Sequence, residues 1–161
     1  SVYGTSKLAG ERVCRDSDTI VRTSWLMGPH RPNILTTILD LLSGSDDLHF
    51  VDDQRGCPTF TGDLAEVIKN LVEERHPGTV HATNSGPVTW YEFATEVART
   101  SGHDPSRVQP IETSAQNPIR PASRPVNSVL ASSVAGTTGP PPMRHHHEAL
   151  VDMLGHWQHD T

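Results

Sequence analysis

The chain has 161 residues, with 13 Lys and Arg against 19 Asp and Glu, which gives a formal net charge of −6. This length allows one domain with a hydrophobic core, and the acidic balance argues against nucleic-acid binding, which requires clustered Lys and Arg on phosphates. No apolar run approaches the about 20 residues that span a bilayer, and no secretory leader stands at the start. We therefore expect a cytoplasmic protein whose partners include neither nucleic acid nor a membrane.

The first half of the chain alternates between helical and strand-like apolar patterns, with Asp63 as the N-cap of one helix. The patterns predict helices over 3–16, 33–44 and 62–75, strands over 19–26, 48–53 and 79–83, and a turn with a short strand over 55–60. This alternation of strands and helices favours an α/β fold.

The second half opens with a strong helix signal over 89–102, where Thr89 and Glu92 have the spacing of a capping box. Within this helix, Trp90, Tyr91 and Phe93 are predicted to be core residues. A last strand over 108–113, an irregular stretch rich in Pro, Ser and Thr over 114–144 and a closing amphipathic helix over 147–157 complete the prediction.

The cysteines and histidines give no metal-site pattern. Cys14 and Cys57 are far apart and are predicted to be free thiols in a reducing compartment, although a disulfide between them stays open. Residues 145–147 are three consecutive histidines, which fan out around a helix and share one ion poorly. We therefore predict no metal site, and a solvated helix start at these histidines.

Tyr3 and Lys7 are four positions apart, which places both side chains on one face of a helix. An ammonium beside a phenol stabilises the phenolate, so the phenol can exchange a proton with a carbonyl or alcohol oxygen near neutral pH. Such an acid suits the reversible reduction of a carbonyl. A surface aromatic–lysine pair would give the same spacing, so the pair alone leaves both interpretations open.

The stretch YGTSKLAGE (residues 3–11) resembles the YGxSKxxGE signature of extended short-chain dehydrogenases/reductases. Further segments are similar, in the same order, to the dTDP-4-dehydrorhamnose reductase family, and the resemblance covers nearly the whole chain. These segments are RTSWLMG (22–28), VDDQRGCPT (51–59), DLA (63–65), GTVHATNSGPVTWYEFA (78–94), VQPIETS (108–114) and PASRPVNSVL (121–130). The chain lacks the GxGxxG turn that cradles a dinucleotide pyrophosphate, which this family has before the YxxxK helix.

The resemblance implies an α/β fold, namely the C-terminal part of an NAD(P)-binding Rossmann-like extended short-chain dehydrogenase with its substrate-binding subdomain. Residues 1–31 would end the Rossmann-like domain. Residues 32–161 would mainly form the sugar-nucleotide subdomain, with Rossmann elements interleaved.

The resemblance also implies roles for single residues. Tyr3 is the expected catalytic acid, and Lys7 tunes it and binds the nicotinamide ribose. A third catalytic Ser or Thr is expected before Ser1. Ser24 is expected at the cofactor.

Five residues are expected to bind the substrate, three of them with a structural alternative. Trp25 would contact the sugar or pack in the core, Asn33 would face the substrate or cap a helix, and Arg124 would grip the diphosphate or lie on the surface. Gln54 and Thr59 lie in a DQxGxPT segment expected near the nucleotide, where Gly56 and Pro58 also suit a structural turn. Asn127 and Ser128 are weaker candidates near the phosphates.

The expected activity is NADPH- or NADH-dependent reduction of the 4-keto group of dTDP-4-dehydro-6-deoxy-L-mannose to dTDP-L-rhamnose. These 161 residues are expected to need an N-terminal Rossmann half and to be inactive alone. The alternatives are another NDP-sugar epimerase, dehydratase or reductase of the superfamily, and a non-catalytic NADP-binding regulatory subunit. The sequence gives no support for Mg²⁺ and leaves a homodimer open.

Overall fold

The computed structural model describes residues 1–116, 118, 122–131 and 142–157. Within these ranges the chain forms five α-helices and eight short β-strands. They are α1 (Val2–Glu11), β1 (Thr19–Arg22), β2 (Leu26–Met27), α2 (Ile34–Leu42), β3 (Leu48–Val51), β4 (Arg55–Gly56), β5 (Thr59–Phe60), α3 (Thr61–Glu73), β6 (Gly78–His81), β7 (Val88–Thr89), α4 (Trp90–Thr100), β8 (Val108–Ile111) and α5 (His146–Trp157).

The strands pair two by two, mostly in parallel. β1 pairs with β6, β2 with β5 and β3 with β8 in parallel register, while β4 and β7 are antiparallel. Parallel partners require a long crossover between them, and α3 and α4 lie on such crossovers. The predicted α/β alternation is therefore confirmed.

Two helices begin at the capping boxes that their sequences encode. The Thr89 hydroxyl accepts a hydrogen bond from Glu92 N, and the Glu92 carboxylate accepts one from Thr89 N, as predicted. Asn33 caps α2, and Thr36 completes that box. Each box satisfies backbone N–H groups that lack a partner inside the helix.

Two elements end four or more residues earlier than their sequence patterns predict. The first helix ends at Glu11 rather than residue 16, because the chain turns there and Asp18 accepts a hydrogen bond from Arg15 N. The predicted strand over 19–26 is interrupted after Arg22, because Trp25 adopts a left-handed backbone conformation with φ 47°. A residue in that conformation lies outside the β region and breaks the regular extended backbone.

The predicted N-cap at Asp63 is wrong. Phe60 occupies that position without a side-chain hydrogen bond, and Asp63 lies in the first turn of α3. Its carboxylate accepts hydrogen bonds from Asn84 Nδ2 at 2.6 Å and from Arg144 Nε at 2.9 Å. Long-range partners therefore determine the position of this side chain.

Among the described residues, two clusters of buried apolar side chains form the core. The larger one joins α2, α4 and α5 to β3 and β8, with Phe93 fully buried at its centre as predicted. The smaller one packs α3 against β6 and includes Val21 of β1 at its margin. Trp25 and Tyr91 pack against the larger cluster while remaining partly exposed.

Helix α1 lies at the surface and buries none of its residues. Val2 and Tyr3 are largely exposed, and Leu8 is exposed as well. Across the described ranges, every helix is too short or too polar to cross a bilayer.

Candidate functional site

The Tyr3 and Lys7 side chains are neighbours on α1, as their spacing predicts. Lys7 Nζ lies 5.4 Å from the centroid of the Tyr3 ring, and Tyr3 is 69% exposed. Ser1 caps this helix by accepting a hydrogen bond from Gly4 N at 3.1 Å. The arrangement leaves a phenol and an ammonium side by side and open to a ligand.

An ion pair that the sequence does not reveal fastens α1 to β1. Arg22 donates from Nε and Nη2 to the two carboxylate oxygens of Glu11, at 2.7 and 2.6 Å. Hydrogen bonds from Arg22 hold the pKa of Glu11 below its ordinary value. Because Glu11 lies one turn beyond Lys7, this pair fixes the end of the helix that carries Tyr3 and Lys7.

The loop between β1 and β2 is held against residues 57–59. Ser24 Oγ donates to Cys57 O at 3.0 Å, and Thr59 N donates to Trp25 O at 3.1 Å. The Thr59 side chain is fully buried, so in this structure it is closed to a ligand. The predicted site residues Ser24, Trp25 and Thr59 are thus brought together, and Thr59 orients the loop.

The indole of Trp25 stacks on that of Trp90, which begins α4. The ring centroids are 3.5 Å apart and the planes meet at 7°. The prediction that Trp90 is a core residue is wrong, because its ring is partly exposed and lies against Trp25. Gly56 lies on the same indole of Trp25: a Cβ built at Gly56 would be 2.6 Å from Trp25 Cζ2.

Gln54 belongs to a hydrogen-bonded chain with Thr113 and Asp53. Gln54 Nε2 donates to Thr113 Oγ1 at 2.8 Å, and Thr113 donates to Asp53 from Oγ1 at 2.6 Å and from N at 3.0 Å. These bonds from Thr113 lower the pKa of the Asp53 carboxyl. These hydrogen bonds fix the residues after β3 to the residues after β8.

Arg124 is exposed on a segment that the structure places beside β4. Arg55 N donates to Val126 O at 2.8 Å, and Ser128 N donates to Arg55 O at 2.8 Å. Ser128 Oγ adds a bond to the same carbonyl at 3.0 Å. Two segments that the sequence analysis assigns to the nucleotide, 54–59 and 124–128, are therefore neighbours.

The side chain of Asn33 uses its hydrogen-bonding groups within the protein. Its Oδ1 accepts from Leu35 N and Thr36 N, while its Nδ2 donates to Gly28 O at 2.7 Å and Arg31 O at 2.8 Å. The N-cap interpretation of Asn33 is confirmed. Its predicted contact with a substrate stays a prediction.

The three consecutive histidines do not form the predicted solvated helix start, because His146 is 1% exposed. Its Nε2 lies 2.8 Å from Glu96 Oε2 and its Nδ1 lies 3.1 Å from Ser85 O, while His147 Nδ1 lies 2.6 Å from Glu96 Oε1. Burial lowers the pKa of His146, but the contacts with Glu96 and Ser85 outweigh it and leave that pKa raised. The burial of His146 could not be predicted from the local pattern, because its partner Glu96 lies 50 positions away in the sequence.

The two cysteines are not bonded to each other. Cys14 is exposed, Cys57 is buried, and both are free, as predicted. In the part of the chain that the structure describes, no group of three or more His, Cys, Asp and Glu side chains is placed to hold a metal ion.

Comparison with known sequences identifies one family over almost the entire chain. A family profile described as "RmlD substrate binding domain" matches residues 1–159. A dTDP-4-dehydrorhamnose reductase of Streptomyces griseus is 42% identical over 161 residues, covering 94% of this chain and 52% of that protein. A probable dTDP-4,6-dihydroxy-2-methyloxan-3-one 4-ketoreductase of Streptomyces antibioticus is 40% identical, covering 93% and 52%. The chain spans about half the length of the curated relatives it matches.

Solved structures give the same picture of the fold. A dTDP-4-dehydrorhamnose reductase from Clostridium acetobutylicum is 36% identical with a TM-score of 0.87, covering 98% of this chain and 56% of that one. One from Bacillus anthracis, solved in complex with NADP, is 30% identical with a TM-score of 0.86, covering 97% and 55%. A UDP-N-acetylglucosamine 4-epimerase from Bacillus cereus, at 17% identity and a TM-score of 0.69, shares the fold alone. The predicted C-terminal part of a Rossmann-like extended short-chain dehydrogenase is confirmed.

Proposed function

The chain belongs to the RmlD substrate binding domain family, and we propose that it supplies the catalytic acid and the sugar-nucleotide site of a dTDP-4-dehydrorhamnose reductase. The observation that carries this proposal is the Tyr3–Lys7 pair, exposed on α1 with Nζ 5.4 Å from the ring centroid. The reaction is reduction of the 4-keto group of dTDP-4-dehydro-6-deoxy-L-mannose to dTDP-L-rhamnose. We assign it to a protein of the relatives' length, in which an N-terminal dinucleotide-binding half accompanies these residues.

NADPH, or alternatively NADH, supplies a hydride to C4 of the sugar when bound. The exposed phenol and ammonium of α1 and the half-buried Ser24 after β1 fit the nicotinamide end of such a cofactor. The sequence holds no GxGxxG turn, so the pyrophosphate would lie on the accompanying half. The NADP complex of the Bacillus anthracis relative supports NADPH as the cofactor.

Tyr3 acts on the oxygen of the ketone. As C4 gains the hydride, negative charge develops on its oxygen, and the phenolic O–H of Tyr3 transfers its proton there to form the alcohol. The electron pair of the broken O–H bond stays on the phenolate. The neighbouring ammonium of Lys7 stabilises that anion.

The substrate-binding role rests on residues around β4 and the β1–β2 loop. Arg124, exposed beside β4, is the proposed partner of the diphosphate, because a guanidinium forms paired hydrogen bonds to phosphate oxygens. Trp25 is the proposed contact of the hexose. Gln54, Asn33 and Thr59 remain proposed contacts of the substrate, although in this structure the first two side chains form hydrogen bonds within the protein and the third is buried.

The division into residues 1–31 and 32–161 also remains a proposal. Val21 of β1 packs against the α3–β6 cluster, which supports interleaving of Rossmann elements with the substrate-binding part.

Replacing the phenol tests the catalytic assignment. In the reductase of full length, Tyr3→Phe is expected to lower turnover by about 10²- to 10⁴-fold, because a positioned acid contributes that much. Tyr91→Phe removes the other tyrosine hydroxyl of the chain and serves as the matched control. Unchanged turnover in Tyr3→Phe would contradict the assignment, whereas absence of turnover in the unmodified full-length protein would favour a non-catalytic subunit.

Ligand preference tests the substrate class. Calorimetric titration of the full-length reductase with dTDP-L-rhamnose, and in parallel with UDP- and GDP-sugars, is expected to give the tightest binding for the dTDP-sugar. Equal affinities would favour another sugar-nucleotide enzyme of the same superfamily. Product analysis of the full-length protein then separates reduction from epimerisation and dehydration.

A further inference from the structure

The indole of Trp25 lies in a slot between Gly56 and Trp90, and paired strands hold the two walls of this slot. β4 pairs with β7 so that Gly56 is opposite Val88, and Trp90 follows β7 directly. Thr89, between them in the chain, caps α4 and donates a hydrogen bond to Asp52 Oδ1 at 2.6 Å. The spacing of the walls is therefore set by backbone pairing and a cap.

The two walls contact opposite faces of the Trp25 ring. Trp90 stacks nearly parallel at 3.5 Å between centroids. The three atoms nearest to a Cβ built at Gly56 are Trp25 Cε2, Cζ2 and Nε1. If Gly56 lay on the same face of the indole as Trp90, that Cβ would fall between the two rings and atoms of Trp90 would be among the nearest, so Gly56 lies on the opposite face. Both faces of the Trp25 indole are thus covered, which leaves its edge for a ligand.

The backbone of Trp25 does not favour this placement by itself. A positive φ, here 47°, is a genuine outlier for a bulky side chain. The hydrogen bond from Thr59 N and the stack on Trp90 hold the residue in that conformation. Backbone strain of this kind, once observed, points to a functional role.

We propose that Trp90 is a positioning residue of the sugar-nucleotide site, which fixes the Trp25 indole so that its edge, and not its face, meets the hexose. The inference rests on the proposed function, in which Trp25 contacts the sugar. It assigns Trp90 no contact with the ligand. Trp90 is therefore expected to affect binding of the sugar and not binding of the nucleotide.

Circular dichroism of the chain tests the stack without any ligand. Two indoles in van der Waals contact give an exciton couplet in the ultraviolet, and the chain has three tryptophans. The couplet is expected in the unmodified chain, absent in Trp25→Ala and in Trp90→Ala. A couplet that persists in Trp90→Ala, or that is missing from the unmodified chain, would overturn the proposal.

Paired titrations of the full-length reductase and its variants with dTDP-L-rhamnose and with dTDP test the positioning role. Trp90→Ala is expected to weaken binding of the dTDP-sugar by about three- to tenfold, the range typical of an aromatic pair, and to leave dTDP binding unchanged. Trp90→Phe keeps an aromatic partner and is expected to recover most of the loss. Because Trp90 acts through Trp25, adding Trp90→Ala to Trp25→Ala is expected to cause no further loss.

Each other outcome counts against a distinct claim. Equal weakening for both ligands would indicate a general structural role for Trp90, and unchanged binding of both would remove any role; either overturns the inference alone. If the unmodified full-length reductase binds neither ligand, the proposed substrate-binding function fails, and the positioning role falls with it.

Discussion

At the scale of single residues, the close approach of Gly56 to Trp25 explains why position 56 holds glycine. Nothing about the Gly56 backbone demands glycine, because its φ lies outside the left-handed region. Space demands it, since the Trp25 indole occupies the volume that a side chain would need and Trp90 closes the far side. Glycine is therefore required at position 56 by packing against Trp25 rather than by the backbone conformation of a turn.

Gly56→Ala is expected to destabilise the chain by about 1–3 kcal/mol, the usual cost of overpacking a close contact. The new methyl group would lie 2.6 Å from Trp25 Cζ2, so the indole must move. Gly62→Ala is the matched control, because a Cβ there meets nothing within 4 Å and the residue lies in α3. Urea denaturation of both variants gives the comparison, and equal midpoints would contradict the packing argument.

At the scale of elements, α5 is joined to α4 through two imidazoles and one carboxylate. His146 presents both ring nitrogens to acceptors, Glu96 Oε2 and Ser85 O, so the doubly protonated ring satisfies both. His147 reaches the other oxygen of Glu96, and the His145 ring lies 4.4 Å from that of His146. The docking of α5 is consequently linked to protonation.

The pKa shifts of this cluster predict how stability changes with pH. The pKa of His146 is raised, because the contact with Glu96 outweighs burial, so its contribution is complete below the ordinary value of 6.5 and is lost as pH rises through the folded value. Burial raises the pKa of Glu96, but hydrogen bonds from His146 and His147 leave it lowered, so its contribution is complete above 4.5 and is lost at lower pH. Both contributions are full between these two values.

Urea denaturation across about pH 6 to 9 checks the direction of this pH dependence, because the range starts below the ordinary histidine pKa and extends well above it. The free energy of unfolding is expected to fall with rising pH in the unmodified chain and to change less in His146→Gln. His156→Gln is the control, because that exposed ring contacts the backbone of its own helix at Asp152 O. An identical pH slope in His146→Gln would contradict the assignment.

At the scale of the whole molecule, a polar network connects the two apolar clusters. Asp63 on α3 accepts from Arg144, which precedes α5, and from the fully buried Asn84, whose Oδ1 accepts from Phe60 N. Arg144 also forms an ion pair with Asp152 of α5. One carboxylate thus links α3 of the smaller cluster to the helix α5 that packs in the larger one.

Asp63→Ala is expected to cost about 1–3 kcal/mol of unfolding free energy, because it removes an acceptor from a buried amide and a guanidinium. Glu66→Ala is the matched control on the same helix, where the carboxylate is exposed and lies 3.8 Å from Lys69 Nζ. Surface pairs of this kind contribute about 0–1 kcal/mol. Thermal or urea unfolding of the two variants decides between them, and equal losses would refute the role of the network.

Local signals predicted the fold well where the partner residues are close in sequence. The caps at Asn33 and Thr89 were predictable because both members of each box lie within one turn. The Tyr3–Lys7 neighbourhood follows from helical spacing for the same reason. The resemblance to a known family added the order of the segments, and hence the fold.

Contacts between distant residues could not be predicted from these patterns. Trp90 was predicted to be a core residue, because no nearby residue in the sequence indicates the left-handed backbone conformation at Trp25 that brings the two indoles together. His146 looked solvated, because Glu96 lies 50 positions away in the sequence. Asp63 looked like a cap, because its partners Asn84 and Arg144 lie 21 and 81 positions away.

The parallel pairing of β1 with β6 has a consequence for how the chain acquires its structure. Residues in contact across this pair, such as Arg22 and His81, are 59 positions apart, and α2 and α3 are made between them. Closing so long a segment costs entropy before any contact compensates for it, and such topologies fold slowly. On the ribosome, β1 therefore stays without its partner β6 until the chain has emerged as far as His81. That interval is when its exposed edge is most open to association with other nascent chains.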